Sequence, residues 1–143
     1  MEARVDKVYK IDTMKKCEQP LFIADVPAGF PSPADDYEEE KLDLNKYLIK
    51  NQAATYFVRV TGDSMVGAGI HSGDLLVVDR SLEPEDKKIV IATINGEMTV
   101  KRIRRKNKKI FLEPENVEYS AQEINREMQF EVWGVVTNVI HSV

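Results

Sequence analysis

Ser64 lies in T-G-D-S-M (residues 61–65), a stretch of small residues ending on Met65 and set between two strand-like runs, TYFVRV and DLLVVDR. Such a stretch can be an ordinary turn, or a turn that presents a hydroxyl as a nucleophile. A serine attacks only when a partner takes its proton, so the question is which base the chain offers. His71 and His141 are 70 positions apart and neither sits in a motif, which leaves a Ser–His–Asp triad conceivable but without local support. Lysine is the other candidate, because burial can lower a lysine pKa from about 10.4 toward neutrality. Lys101, in E-M-T-V-K-R-I, follows Met98 and Val100 and has the apolar strand setting such a base needs. Strand lysines usually face solvent at a sheet edge, so the pattern alone leaves Lys101 as either a surface charge or a base. With two histidines and the single Cys17, the sequence offers no ligand cluster at metal spacing. It has no phosphate-cradling loop and no Gly-rich dinucleotide turn either, so neither a metal nor a cofactor is expected.

The elements that would position these residues are mostly strands. TYFVRV alternates, and GDLLVVDR is a short apolar run bounded by Gly73 and Arg80. KIVIATI and EMTVKRI flank Asn95-Gly96, a strong hairpin signal because both residues accept positive φ. That turn fixes the register of the second arm, placing Lys101 on the face opposite Val100 and beside Thr99 and Ile103. KKIFLEPE and FEVWGVVTNVI add further strands, and YEEEKLDLNKYLIKN reads as one or two short helical turns. In that stretch Asp43 is a plausible cap, with Leu44, Leu48 and Ile49 turned inward. Before it, PLFIADVPAGFPSP reads as an extended, proline-interrupted arm. The expected fold is therefore a compact, mostly β, largely antiparallel domain over residues 36–143, with a flexible N-terminal arm over residues 1–35.

At 143 residues the chain is long enough for one domain with a real core, and its 43% hydrophobic and 31% charged residues are those of a soluble globular protein. No apolar run approaches the roughly 18 residues of a membrane span. A single cysteine favours a reducing compartment, and the expected location is the cytoplasm. The net charge of −4 argues against the whole molecule binding DNA electrostatically. Charge is uneven, however: DDYEEE (35–40) is acidic, while KRIRRKNKK (101–109) holds seven Lys or Arg in nine positions. The basic block is either a solvated strand end and turn or a contact for nucleic acid or an acidic partner.

Five pieces in order, GDSM, GI..GDLLVVD, IVIA.INGE.TVKRI, LEPEN..Y and VWGVV, resemble the LexA/UmuD family of self-cleaving Ser–Lys peptidases. The likeness spans about residues 25–140. It implies that Ser64 is the nucleophile, Lys101 the general base, and the backbone N–H groups of Ser64 and Met65 the oxyanion hole. It also implies self-cleavage at a bond between a small residue and glycine upstream of the domain, which VPAGF supplies as Ala28-Gly29. Only 28 residues precede that bond, too few for the helix-turn-helix domain of the repressor members. GFPSPADDY and LDLNKYLI resemble the UmuD branch, although Ala28 replaces the cysteine often found there and Ala121 replaces the proline of a Y-S-P pattern.

That branch implies a homodimer whose self-cleavage is stimulated by the RecA–single-stranded-DNA filament during the SOS response. The cleaved product would then join the Y-family polymerase subunit UmuC in translesion synthesis, with no membrane contact and no sequence-specific DNA binding. Two other readings stand beside it: a non-catalytic module that binds a polymerase or filament, and a LexA-like regulator lacking its DNA-binding part.

Overall fold

The computed structural model describes residues 1–10, 18–22 and 39–143. Cys17, most of the proline-rich stretch and the Ala28-Gly29 bond lie outside the described residues. Two compact units are present, one made of Met1–Ile11 with Asn51–Val143, the other of Asp12–Lys50.

The larger unit is an antiparallel sheet built by the alternating runs. These form β4 (Thr55–Thr61), β5 (Leu75–Asp79), β6 (Ile89–Ile94), β7 (Glu97–Lys106), β8 (Lys109–Glu113) and β10 (Phe130–Ile140), with a short β9 (Gln122–Ile124). The sequence reading had no strand near the start, yet Arg4–Lys10 forms β1. The order is β1-β4-β5-β10-β6-β7-β8-β9, and β1 also pairs with β7 through Arg4 and Thr99. That last pairing closes a ring of six strands, so β1 is one stave of a small barrel. Most β1 side chains face water, so backbone pairing holds the strand and no apolar alternation marked it in the sequence.

The β6–β7 hairpin turns on Asn95 (φ 51°) and Gly96 (φ 84°), pairing Ile94 with Glu97 as the sequence predicts. From that turn the register runs on to Lys101 opposite Val90. One apolar cluster gathers Val58, Val60, Met65, Leu76, Val78, Ile91 and Val100; another holds Val90, Ala92, Ile103, Leu112 and Val135. At Gly134 in β10 a Cβ would come within 2.5 Å of the Val78 side chain, which gives the VWGVV stretch a packing reason for its glycine.

In the smaller unit, β2 (Glu18–Phe22) pairs with β3 (Glu39–Asp43), and α1 (Leu44–Leu48) follows. Asp43 caps α1 as expected, accepting from the Asn45 N–H at 3.0 Å. Ahead of that cap the sequence reading had no strand, yet Glu39–Asp43 is one, because backbone pairing with β2 overrides the helix propensity of Glu, Lys and Leu. Leu44 is exposed rather than turned inward, since a five-residue helix buries no complete face.

The end of β5 is tied down by Asp79, which is buried and accepts from Asn51 (2.8 Å), the Ser81 N–H (2.8 Å) and the Ser81 hydroxyl (2.6 Å). Burial pushes its carboxyl up, but the bonds from Ser81 and Asn51 outweigh that and hold it below its ordinary 3.8. A depressed folded value means stability that is present above 3.8 and lost as pH falls through the folded value. Asp79→Asn should therefore lower stability by about 1.5–3 kcal/mol at neutral pH and shrink the loss on acidification. Urea melts at neutral pH and near pH 3 check this; a loss on acidification undiminished by the substitution would assign it to other carboxylates.

Candidate active site

Ser64 is reached by a sharp exit from β4. Gly62 has φ +99°, and a Cβ there would collide with the Glu2 carbonyl, so this position needs glycine on two counts. Met65 is completely buried in the first apolar cluster and pins the turn, leaving Ser64 fixed beside it and itself inaccessible to water. The LEPEN segment holds the other side of the turn. The Glu115 N–H donates to the Ser64 carbonyl (2.8 Å), and the Gly67 N–H donates to the Glu115 carbonyl (2.7 Å). A Cβ on Gly67 would lie 2.6 Å from that same oxygen, so the two segments meet only with glycine there. Asn116 donates its amide to the Asp63 carbonyl (3.0 Å), and Tyr119 donates its hydroxyl to the Asp63 carboxylate (2.6 Å).

Lys101 comes from the middle of β7, where its residue is 5% exposed and the strand on either side is paired to β6 and β8. Its Nζ donates to Ser64 Oγ at 3.2 Å. The two side chains singled out in the sequence, 37 positions apart, are thus brought into direct contact. His71 and His141 are elsewhere: both lie against Asp74. Among the described residues, neither the Ser64 nor the Met65 N–H donates to a backbone carbonyl.

The first three residues of the chain fill the space over the pair, and no pattern in M-E-A-R announces it. The Ala3 N–H donates to Ser64 Oγ at 2.7 Å. The Ala3 carbonyl accepts from the Val100 N–H (3.2 Å) and the Thr99 hydroxyl (3.1 Å). The Asp63 N–H donates to the Met1 carbonyl (2.7 Å), and the Met1 ammonium pairs with the Asp63 carboxylate (2.8 Å) and contacts Tyr119. The Glu2 carboxylate forms an ion pair with Lys101. Met1–Ala3 therefore lies as an extended segment between the serine turn and β7, with Ala3 fully buried.

This arrangement has chemical consequences. Ser64 Oγ accepts from both Lys101 and Ala3, which engages both oxygen lone pairs. Lys101 donates to Ser64 and to Glu2, whereas a base must accept. At the rim, the bond from the N-terminal ammonium and then that from Tyr119 hold the Asp63 carboxyl below its usual range. Tyr119 is pushed up to about 12, chiefly by its bond to Asp63. Beside the segment a cleft opens, lined in part by Glu2, Arg4, Met98, Thr99, Lys101 and Ser120.

The basic block is largely matched by acids. Arg102 pairs with Glu115, Arg104 with Asp86 (3.4 Å) and Glu113 (3.5 Å), Lys106 with Glu113 (3.3 Å), and Lys109 with Glu123 (3.5 Å). Such local pairing favours the reading of a solvated strand end over a nucleic-acid contact. Among the described residues no helix is long and apolar enough to cross a membrane.

The chain thus places a buried serine, on a turn that needs glycine, within reach of a strand lysine in a small antiparallel barrel. The Peptidase S24-like family pattern matches residues 20–137, and the chain belongs to that family, as a UmuD-like member of the LexA/UmuD group of self-cleaving peptidases. It is 53% identical over 122 residues to protein SamA of Salmonella typhimurium, covering 85% of this chain and 84% of SamA. Over 123 residues it is 49% identical to protein ImpA of Escherichia coli, covering 86% and 83% of the two chains. With protein MucA of Escherichia coli it shares 42% identity over 120 residues, 83% of this chain and 82% of MucA. The family links the chain to the SOS response and DNA damage.

Proposed function

We propose that the protein is a self-cleaving Ser–Lys peptidase that cuts its own Ala28-Gly29 bond. The observation that carries this is the 3.2 Å contact between Lys101 Nζ and Ser64 Oγ, with Lys101 5% exposed and Ser64 fully buried. A buried lysine–hydroxyl contact on rigid elements is what acyl transfer by this dyad needs. In the reaction, neutral Lys101 takes the Ser64 proton as Oγ attacks the Ala28 carbonyl carbon. The oxyanion is held by the N–H groups of Ser64 and Met65. Lys101 then gives the proton to the Gly29 nitrogen as the C–N bond breaks. That leaves residues 1–28 esterified to Ser64, and water hydrolyses the ester. Met1–Ala3 must vacate the site before the Ala28-Gly29 segment enters it.

The product, residues 29–143, would act as the accessory subunit of a UmuC-type Y-family polymerase in translesion synthesis, with the chain working as a homodimer. The RecA–single-stranded-DNA filament would speed cleavage by favouring the productive pose, since the catalytic groups are already in the chain. Support for these partners comes from family membership. One observation favours a non-catalytic module instead: Ser64 Oγ accepts from the Ala3 N–H as well as from Lys101, and Lys101 is ion-paired with Glu2.

The two readings separate on incubation with RecA, nucleotide and single-stranded DNA. The peptidase reading expects faster conversion to residues 29–143 and retention of that fragment by the polymerase subunit. A chain that stays whole but still binds the filament would support the module.

A further inference from the structure

The geometry points to a second site, a binding site for a divalent transition-metal ion formed by His71, Asp74 and His141. β5 and β10 run antiparallel with Leu75 opposite Ile140, so the loop entering β5 and the residue leaving β10 meet at one end of the sheet. Two histidines 70 positions apart in sequence become neighbours there, with ring centroids 5.0 Å apart. His141 Nδ1 is 2.5 Å from Asp74 Oδ1, and His71 Nδ1 is 3.8 Å from Asp74 Oδ2. One donor atom from each of the three residues lies within 4.8 Å of the others.

The carboxylate is the fixed part. Asp74 is 3% exposed, and the His71 N–H donates to its Oδ2 at 2.8 Å. Its own backbone is held too, accepting from the Val60 N–H (3.1 Å) and donating to the His71 carbonyl (3.0 Å). Both imidazoles are about half exposed, at 51% and 48%, and are free to adjust around it. Zinc bonds of about 2.0–2.1 Å in a tetrahedron put ligand atoms about 3.3 Å apart. His141 would move back by less than an ångström and His71 would swing inward, both within reach of side-chain rotation.

Two imidazoles and one carboxylate suit Zn²⁺, Co²⁺, Ni²⁺ or Cu²⁺, whereas Mg²⁺ and Ca²⁺ select all-oxygen sites. Three protein ligands leave a position for water, so the site binds without enclosing the ion. Neither histidine touches Ser64 or Lys101. The ion would tie the C-terminal end of β10 to the loop whose Ser72 hydroxyl accepts from the Gly62 N–H (3.2 Å) beside the serine turn.

The test is titration of the untagged full-length chain with Co²⁺, followed by its visible d–d absorption, and with Zn²⁺, followed by thermal melting. The expected result is one equivalent bound, a raised melting temperature, and at least tenfold weaker binding in His71→Ala or His141→Ala. The double variant should lose the visible band while melting normally without metal. Absence of saturable binding would overturn the site, leaving a plain His–Asp ion pair. Binding that survives in the double variant would overturn it as well, by placing the ion on other ligands.

Discussion

Replacing Glu2 with lysine should make the full-length chain cut itself faster, by about tenfold where the wild type reacts slowly. Met1–Ala3 occupies the space over Ser64 and Lys101, and Glu2 is its charged anchor. Losing a half-exposed ion pair costs the occupied state about 1 kcal/mol, and a like charge facing Lys101 adds a comparable penalty. Each 1.4 kcal/mol against the occupied state is worth about tenfold in vacant sites. Ala3→Phe should act in the same direction by sterics alone, because Ala3 is fully buried and the added ring has nowhere to go. Intact-mass time courses at one pH compare the variants directly. Unchanged or slower cleavage in both would mean that the segment does not compete with the scissile bond.

Ser64→Ala should abolish cleavage, and Lys101→Ala should reduce it by at least about a thousandfold, the scale on which members of a catalytic unit act. Lys101→Arg should fail as well, since guanidinium does not release its proton in the working range. A lysine that takes a proton must first be neutral, so the wild-type rate should rise with pH. None of these losses should come from unfolding. Removing the Ser64 hydroxyl strands the Ala3 N–H and one Lys101 donor, a cost of about 1–3 kcal/mol that thermal melting will register without loss of the fold. His71→Ala with His141→Ala is the control, because both rings lie against Asp74 while Ser64 is in contact with Lys101.

The strands that carry the proposed dyad were legible because their apolar residues alternate along the sequence, and because Asn95-Gly96 sets the register that delivers Lys101. Ser64 and Lys101 stood out through the ordered pieces around them, and the structure puts them in contact. Part of the support behind them was not legible, because it acts through the main chain. Glu115 holds the serine turn by its backbone N–H and carbonyl, which any residue carries. β1 was missed for the same reason: it pairs by backbone and exposes its side chains. Glu39–Asp43 has helix-forming side chains, but its pairing with a segment some twenty residues upstream decides its conformation. The placement of Met1–Ala3 over Ser64 depends on the barrel closing, a long-range event that four residues at the start of a sequence cannot signal.

Intact-mass spectrometry of the purified chain during alkaline incubation, run beside Ser64→Ala and Lys101→Ala, is the most direct test of the central claim. The account predicts a wild-type product whose mass corresponds to residues 29–143, formed faster at higher pH, and no product from either variant. A fragment beginning elsewhere would contradict the Ala28-Gly29 assignment. Cleavage that persists in Lys101→Ala but stops when His71 and His141 are replaced would contradict the Ser64–Lys101 dyad itself.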